Sequence, residues 1–189
     1  LEAAQHSDCC LVMVATDDQV KEVVSGETGL LKGADPGYTI LICSTVHPYT
    51  CQSLYELAQR QQVEILDCPV VFGLAGAKEG RLKALVGGSE NALKQVRPVL
   101  EAFCADVLYM GKLGNGQITK TCNNMLHWTM IVANYEVLTL GKKYGIHPAR
   151  MREVLLQCPG TNGSLKYWME SNLSWPQKDM DIALELAQD

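Results

Sequence analysis

The sequence predicts an α/β half followed by an all-α half. Three observations predict it. Short apolar runs, each the length of a strand buried on both faces, alternate with helical segments over roughly the first 110 residues. From Gln117 to Tyr144 the pattern changes, because no proline interrupts the stretch and its one glycine, Gly141, lies near the end. That stretch is roughly 28 residues, or about 42 Å at the helical rise. Finally, 189 residues that are 47% hydrophobic and 20% charged suffice to pack one large or two small domains.

The elements follow in order. Residues 9–15 (CCLVMVA) read as the first buried strand, and Asp17 and Asp18 open a short helix to Val24, acids at the positive end of its dipole. Asp35-Pro36-Gly37 is a turn signal before a second strand, residues 38–43 (YTILIC). After Ser44-Thr45-Val46-His47, Pro48 takes the favoured first-turn position of a helix reaching Gln61. Residues 64–67 are a third strand running into Cys68-Pro69-Val70-Val71, and 82–86 a fourth, turned by Gly87-Gly88. Ser89 caps a helix over 90–103, and 107–110 is a last short strand. The long helix follows, stopped by Gly145, and Pro148 starts the next. Further helical segments are expected near 149–157, 164–171 and 178–188. The handover near 111–116 divides the chain into expected domains 1–112 and 113–189.

Composition excludes several classes. A net charge of -5 argues against a general nucleic-acid binder, whose phosphate contacts need a basic surface. No apolar run is long enough to span a bilayer and no signal peptide precedes the first strand, so a soluble, cytoplasmic protein is expected. There are eight cysteines but no C-x-x-C, and Cys9, Cys10, Cys43 and Cys68 sit in or at the ends of apolar runs, where free Cys behaves as a small hydrophobe. A reducing compartment is the simpler inference. The four histidines are scattered and no metal-ligand cluster is visible, so no metal is expected.

Four motifs carry chemistry. Ser44-Thr45-Val46 follows a buried strand, and ligands of open α/β sheets bind at the carboxyl ends of such strands. Asp67-Cys68-Pro69-Val70 is followed by Gly73, Gly76-Ala77 and Gly80. Gly114-Asn115-Gly116-Gln117 opens the long helix, and Lys120, Asn123 and Asn124, at i, i+3 and i+4, share one helical face, with Gln117 one turn earlier on the same side. A lysine with two amides can both protonate and grip an oxygenated molecule; a solvated lysine beside surface amides is the bland alternative. Lys178-Asp179 precedes an amphipathic helix, equally readable as an ordinary helix start.

In this order and spacing the motifs resemble the β-hydroxyacid dehydrogenase family, which includes 3-hydroxyisobutyrate dehydrogenase and tartronate semialdehyde reductase and, more distantly, 6-phosphogluconate dehydrogenase. The resemblance covers nearly the whole chain. It implies a Rossmann-type, mostly parallel sheet followed by an all-α substrate and dimerisation domain entered through a long interdomain helix. No G-x-G-x-x-G follows a strand, so the front that would carry the pyrophosphate-binding glycines is expected to lie outside the chain.

The resemblance further implies hydride transfer between NAD or NADP and a small hydroxyacid or carbonyl substrate. Lys120 is then the general acid or base at the substrate oxygen, with a pKa lowered by burial in a closed cleft. Val14, Ala15, Thr45 and Lys178 are implied cofactor contacts, and Val71, Phe72, Gly73, Asn123 and Asn124 substrate contacts. Family members that reduce small hydroxyacids typically carry Ser-Gly-Gly where this chain has Val71-Phe72-Gly73. The carboxylate-binding hydroxyl and one permissive glycine are gone, so a larger or more apolar substrate enters consideration. Alternatives are a reductase of imines or other carbonyls, and a non-catalytic cofactor-binding module; retention of Lys120 and Asn124 speaks against the module. A homodimer or higher homo-oligomer is expected by analogy.

Overall fold

Three parallel strands that end on one line organise the first half. The computed structural model describes residues 1–171 and 173–188. A one-turn helix, α1 (Glu2–Gln5), leads into β1 (Cys9–Val12), which pairs with β2 (Thr39–Ile42), and β2 with β3 (Glu64–Asp67). The register sets Val12, Ile42 and Asp67 side by side, so the loops after all three strands leave the same edge.

Helix α2 (Asp17–Ser25) follows β1, its first turn capped by the Thr16 hydroxyl, which accepts from Gln19 N. Helix α3 (Pro48–Gln59) follows β2 and begins at Pro48 as the sequence predicts. Val20 and Val24 of α2, and Cys51, Leu54 and Ala58 of α3, bury against one face of the sheet with Ile40, Ile42 and Ile65. Alternation along the strands sends Leu41, Cys43 and Leu66 to the other face. Both faces of β2 and of the middle of β3 are therefore covered, which is why residues 40–42 and 65–66 are apolar, whereas Leu11 of β1 is exposed.

Beyond β3 the chain runs through Cys68-Pro69 into β4 (Val70–Val71), turns through α4 (Gly73–Lys78) and returns as β5 (Leu82–Gly87), antiparallel to β3 and β4. Helix α5 (Glu90–Glu101), capped by Ser89, packs Ala92, Leu93, Val96 and Leu100 onto the second face. Strand β6 (Cys104–Gly111) then pairs parallel with β5. The sheet is thus mixed: parallel ladders dominate, but its last two strands oppose the first three. β1 is shorter than its apolar run, ending at Val12, and β6 is longer than predicted.

Helix α6 (Asn115–Lys143) is one uninterrupted helix of 29 residues. The chain divides into two compact units, Leu1–Lys120 and Thr121–Asp189, with the division falling within this helix. In the second unit α6 is followed by α7 (Pro148–Leu155), α8 (Gly163–Lys166), a 3-10 turn at Trp168–Glu170 and α9 (Pro176–Leu186), and its described residues contain no strand. The helix expected over 164–171 is thus broken into two short turns. Polar pairs hold this unit: Asn134 and Asn162 exchange amide hydrogen bonds at 3.0 Å, Trp128 Nε1 donates to Asp179 Oδ2 at 3.0 Å, and His127 Nδ1 lies 2.9 Å from Ser164 Oγ. Residues 162 and 164 are consequently pinned to α6. Among the described residues no helix is long and apolar enough to cross a membrane, and no group of three or more His, Cys, Asp or Glu is placed to hold a metal ion.

Candidate active site

The loops leaving the ends of β1 and β2 are tied to each other. The buried Ser44 hydroxyl accepts from Val14 N at 2.7 Å and lies 3.4 Å from Val12 O, so the segments carrying Val14 and Thr45 are held together. Ala15 N donates to Gln19 Oε1 at 2.8 Å. Asp17 Oδ1 accepts from His47 N at 2.9 Å and from Thr50 Oγ1 at 2.6 Å, joining the starts of α2 and α3. Val14, Ala15 and Thr45 are half-buried at this edge.

The first turn of α6 is docked onto the same edge by two fully buried side chains. Asp67, the last residue of β3, accepts from Gly114 N at 2.7 Å through Oδ1 and from Gln117 N at 2.8 Å through Oδ2, and Gly116 N also donates to it. A carboxylate from a distant strand thus fills the place of a helix cap and complements the positive helix end. Burial pushes the Asp67 carboxyl up from its ordinary 3.8, and the amide donors oppose that rise. Gln117 Nε2 donates to Ser44 O at 2.8 Å, and its Oε1 accepts from Val46 N at 3.1 Å. The approach is close because two residues lack side chains. A Cβ on Gly116 would lie 2.3 Å from Leu85 O, and one on Gly87 2.4 Å from Asp67 Oδ1. Lys120 follows Gln117 by one turn, about 4.5 Å along the axis, and is half-buried.

β3 and β4 keep one register against β5, pairing Asp67 with Gly87, Val70 with Ala84 and Val71 with Lys83. The β3–β4 line therefore overshoots the ends of β1 and β2, and Phe72 comes about 16 Å beyond Asp67 along an extended chain. Phe72 is left-handed, with φ 81° and ψ 3°, and Gly73 has φ 54°. Arg81 lies with its guanidinium carbon 5.6 Å from the Phe72 ring centroid. Val71, Phe72 and Gly73 thus stand on a step beside the strand ends, apolar and offering no side-chain hydrogen-bond donor.

The other expected residues lie in the second unit. Asn124 is buried and its Oδ1 accepts from Asn123 Nδ2 at 3.1 Å, whereas Asn123 is exposed. Lys178 Nζ is 5.5 Å from the ring centroid of Trp175, an exposed residue, and the neighbouring Asp179 is the one that turns inward to Trp128. Sequence reasoning missed Asp67 and Gln117 as anchors. The available signal was a charged residue ending a buried strand, opposite a Gly-x-Gly that permits close approach.

An α/β unit whose parallel strands end together, with loops and a helix start gathered at that edge, is of the dinucleotide-binding class. Residues 1–111 match the model of the NAD binding domain of 6-phosphogluconate dehydrogenase, and residues 114–189 that described as NAD-binding of NADP-dependent 3-hydroxyisobutyrate dehydrogenase. The chain belongs to the β-hydroxyacid dehydrogenase family. It is 33% identical over 168 residues to 3-hydroxyisobutyrate dehydrogenase of Pseudomonas aeruginosa, covering 89% of this chain and 56% of that one. It is 29% identical over 197 residues to 2-hydroxy-3-oxopropionate reductase of Escherichia coli, covering 99% and 68%. The solved structure of Mycobacterium tuberculosis 3-hydroxyisobutyrate dehydrogenase with L-serine superposes with a TM-score of 0.83 at 25% identity, covering 99% and 69%. The chain spans about half the length of several of the relatives it matches.

Proposed function

We propose that this chain is part of an oxidoreductase that transfers a hydride between NAD or NADP and a β-hydroxyacid or related small carbonyl compound, with Lys120 as general acid and base. One observation carries the reading: Asp67 and Gln117 dock the start of α6 on the strand ends, so Lys120 follows by one turn a side chain bonded to the backbone on both sides of Thr45. On this reading 1–112 is the dinucleotide-binding domain and 113–189 belongs to the substrate and dimerisation domain.

The residues present fit a nicotinamide. Val14 and Ala15 are small apolar groups just after β1, and Thr45 follows Ser44, whose hydroxyl binds Val14 N; the resemblance adds Lys178 as a cofactor contact. Bound there, the nicotinamide would accept or supply the hydride. The Lys120 amine takes the proton of the substrate hydroxyl in oxidation and returns it to the carbonyl oxygen in reduction. The amides of Asn123 and Asn124 bind substrate oxygens by the same resemblance. Val71 and Phe72 supply an apolar wall where the family's small-acid reductases have a hydroxyl, which favours a substrate with an apolar group at that end. The same observation supports a second reading, reduction of an imine or another carbonyl. Eight cysteines, all without a disulfide partner, support the cytoplasm as the compartment. Exposed Val132, Tyr135 and Leu140 on α6, and Tyr144 just after it, support a homodimer or higher homo-oligomer.

The test is hydride transfer by the full-length protein with each cofactor against 3-hydroxyisobutyrate, L-serine, tartronate semialdehyde and a cyclic imine. Lys120→Ala should lower turnover on the best of these by roughly two to four powers of ten, with cofactor affinity little changed. Equal turnover in variant and wild type would remove Lys120 from the mechanism. Binding of cofactor without turnover of any substrate would favour the non-catalytic module.

A further inference from the structure

We propose that Gln117 is a positioning residue that couples the cofactor-binding loop to the catalytic helix. The proposal rests on the reading of Thr45 and Lys120 given above. Gln117 is completely buried although it stands in the first turn of a helix, where an amide side chain is ordinarily solvated. Its carboxamide spends both ends on the β2–α3 loop. Nε2 donates to Ser44 O at 2.8 Å, and Oε1 accepts from Val46 N at 3.1 Å. These two backbone groups flank Thr45 on either side, so one side chain fixes the peptide units before and after it. The buried Sγ of Cys51 in α3 also hydrogen-bonds Gln117. Meanwhile the Gln117 backbone is held by Asp67, which fixes the helix that carries Lys120 one turn later.

The pairing is directional. Val46 presents a donor and Ser44 an acceptor, so the group between them must offer one acceptor and one donor in that order. A primary amide does so at every pH. A carboxyl group does so only when protonated, because a carboxylate has no hydrogen to give Ser44 O. Substitution by Glu therefore creates a site whose loop geometry depends on pH, and burial raises the pH at which that carboxyl ionises.

Gln117→Met keeps the length of the side chain and removes both hydrogen bonds. Gln117→Glu keeps them only in acid. In the full-length protein, NADH and NADPH affinities are measured by fluorescence titration at pH 5.5 and 8.5, with folding verified at each pH by near-ultraviolet circular dichroism. Gln117→Met should weaken binding of the preferred cofactor about tenfold at both pH values, the order expected from losing a pair of buried hydrogen bonds. Gln117→Glu should bind like wild type at pH 5.5 and about tenfold more weakly at pH 8.5. Turnover should follow the same pattern on any substrate the wild type uses. If the Met variant fails to fold, the pH dependence of the Glu variant decides alone. A Glu variant that matches the wild type at both pH values, or that is equally impaired at both, overturns the coupling while leaving the Lys120 reading intact. A wild type that binds neither cofactor defeats that reading first, and this proposal with it.

Discussion

Replacing Asp67 with asparagine isolates the anchor on which the site is built. The two carboxylate oxygens accept from Gly114 N at 2.7 Å and Gln117 N at 2.8 Å, in a position with no solvent access. Hydrogen bonds to a charged acceptor are worth about 1.5–3 kcal/mol each. Asparagine retains one oxygen, so one of these bonds survives as a neutral one. Its NH2 group then faces the other backbone N–H, leaving a buried donor unsatisfied. Removing a buried charge offsets part of this loss, and a net cost of about 2–3 kcal/mol remains. With a urea slope of about 2 kcal/mol/M, the midpoint should fall by about 1–1.5 M. Native-state hydrogen exchange reads the effect locally, and protection of the Gly114 and Gln117 amides should drop roughly 30- to 150-fold. The pH dependence has a defined sign. Burial raises the Asp67 carboxyl above 3.8 in the folded state, so the folded protein keeps this proton at pH values where the unfolded chain has released it. The contribution of Asp67 to stability is therefore fully present below 3.8 and is lost as pH rises through the folded value. The gap between wild type and Asp67→Asn should widen as pH falls across that window. A gap below about 0.5 kcal/mol at pH 7 would refute the anchoring argument, and a gap that narrows on acidification would refute the direction of the shift.

Two further outcomes can be checked. At Phe72, with φ 81°, glycine should be more stable than alanine by about 1 kcal/mol in urea denaturation, the reverse of their order in a helix; alanine equal to glycine would contradict the left-handed backbone. Burial pushes the Cys43 thiol up to about 12 and those of Cys51 and Cys68 well above 9.0, whereas Cys122 is exposed. An aromatic disulfide reagent at pH 8 should modify Cys122 in the native protein and reach these three only after denaturation, and their labelling at the rate of Cys122 would show the core to be open.

The α/β-then-α architecture was legible because both signals are local. Strands covered on both faces are mostly apolar, as residues 40–42 are, and a helix as long as α6 must avoid proline. The reversal of β5 was not read from hydropathy, because a buried run looks the same in either direction. Connection length held the missing signal. Only the ten residues 72–81 separate β4 from β5, fewer than the dozen or more that a parallel crossover needs. Lys120 stood out because glycines precede it and amides share its face. Asp67 and Gln117 did not, since their roles exist only where residues some 50 and 70 positions apart in the chain meet. Phe72 as a residue type offered no signal of its left-handed backbone, a conformation that glycine adopts without cost.

The placement of Lys120 depends on polar contacts more than on apolar packing, and this has a consequence for precision. The buried residues of α6 include Gln117, Thr121, Asn124 and Asn134, while Leu126, Val132, Tyr135 and Leu140 are exposed. An apolar stripe could slide or rotate by a fraction of a turn with modest loss, because burial is not directional. Hydrogen bonds lose most of their strength within a few tenths of an ångström and a few tens of degrees. Fixing the first turn by Asp67 on its backbone and by Gln117 on its side chain therefore sets both the height and the rotation of that turn against β2 and β3. Gly87 and Gly116 make that possible by letting the helix start approach the strand ends more closely than any Cβ allows. A lysine that must meet a substrate oxygen at hydrogen-bonding distance needs this kind of support, since a misplacement of 1 Å can cost about a hundredfold in rate. Polar residues inside the start of α6 are thus what the proposed chemistry requires, although they depart from ordinary helix patterning.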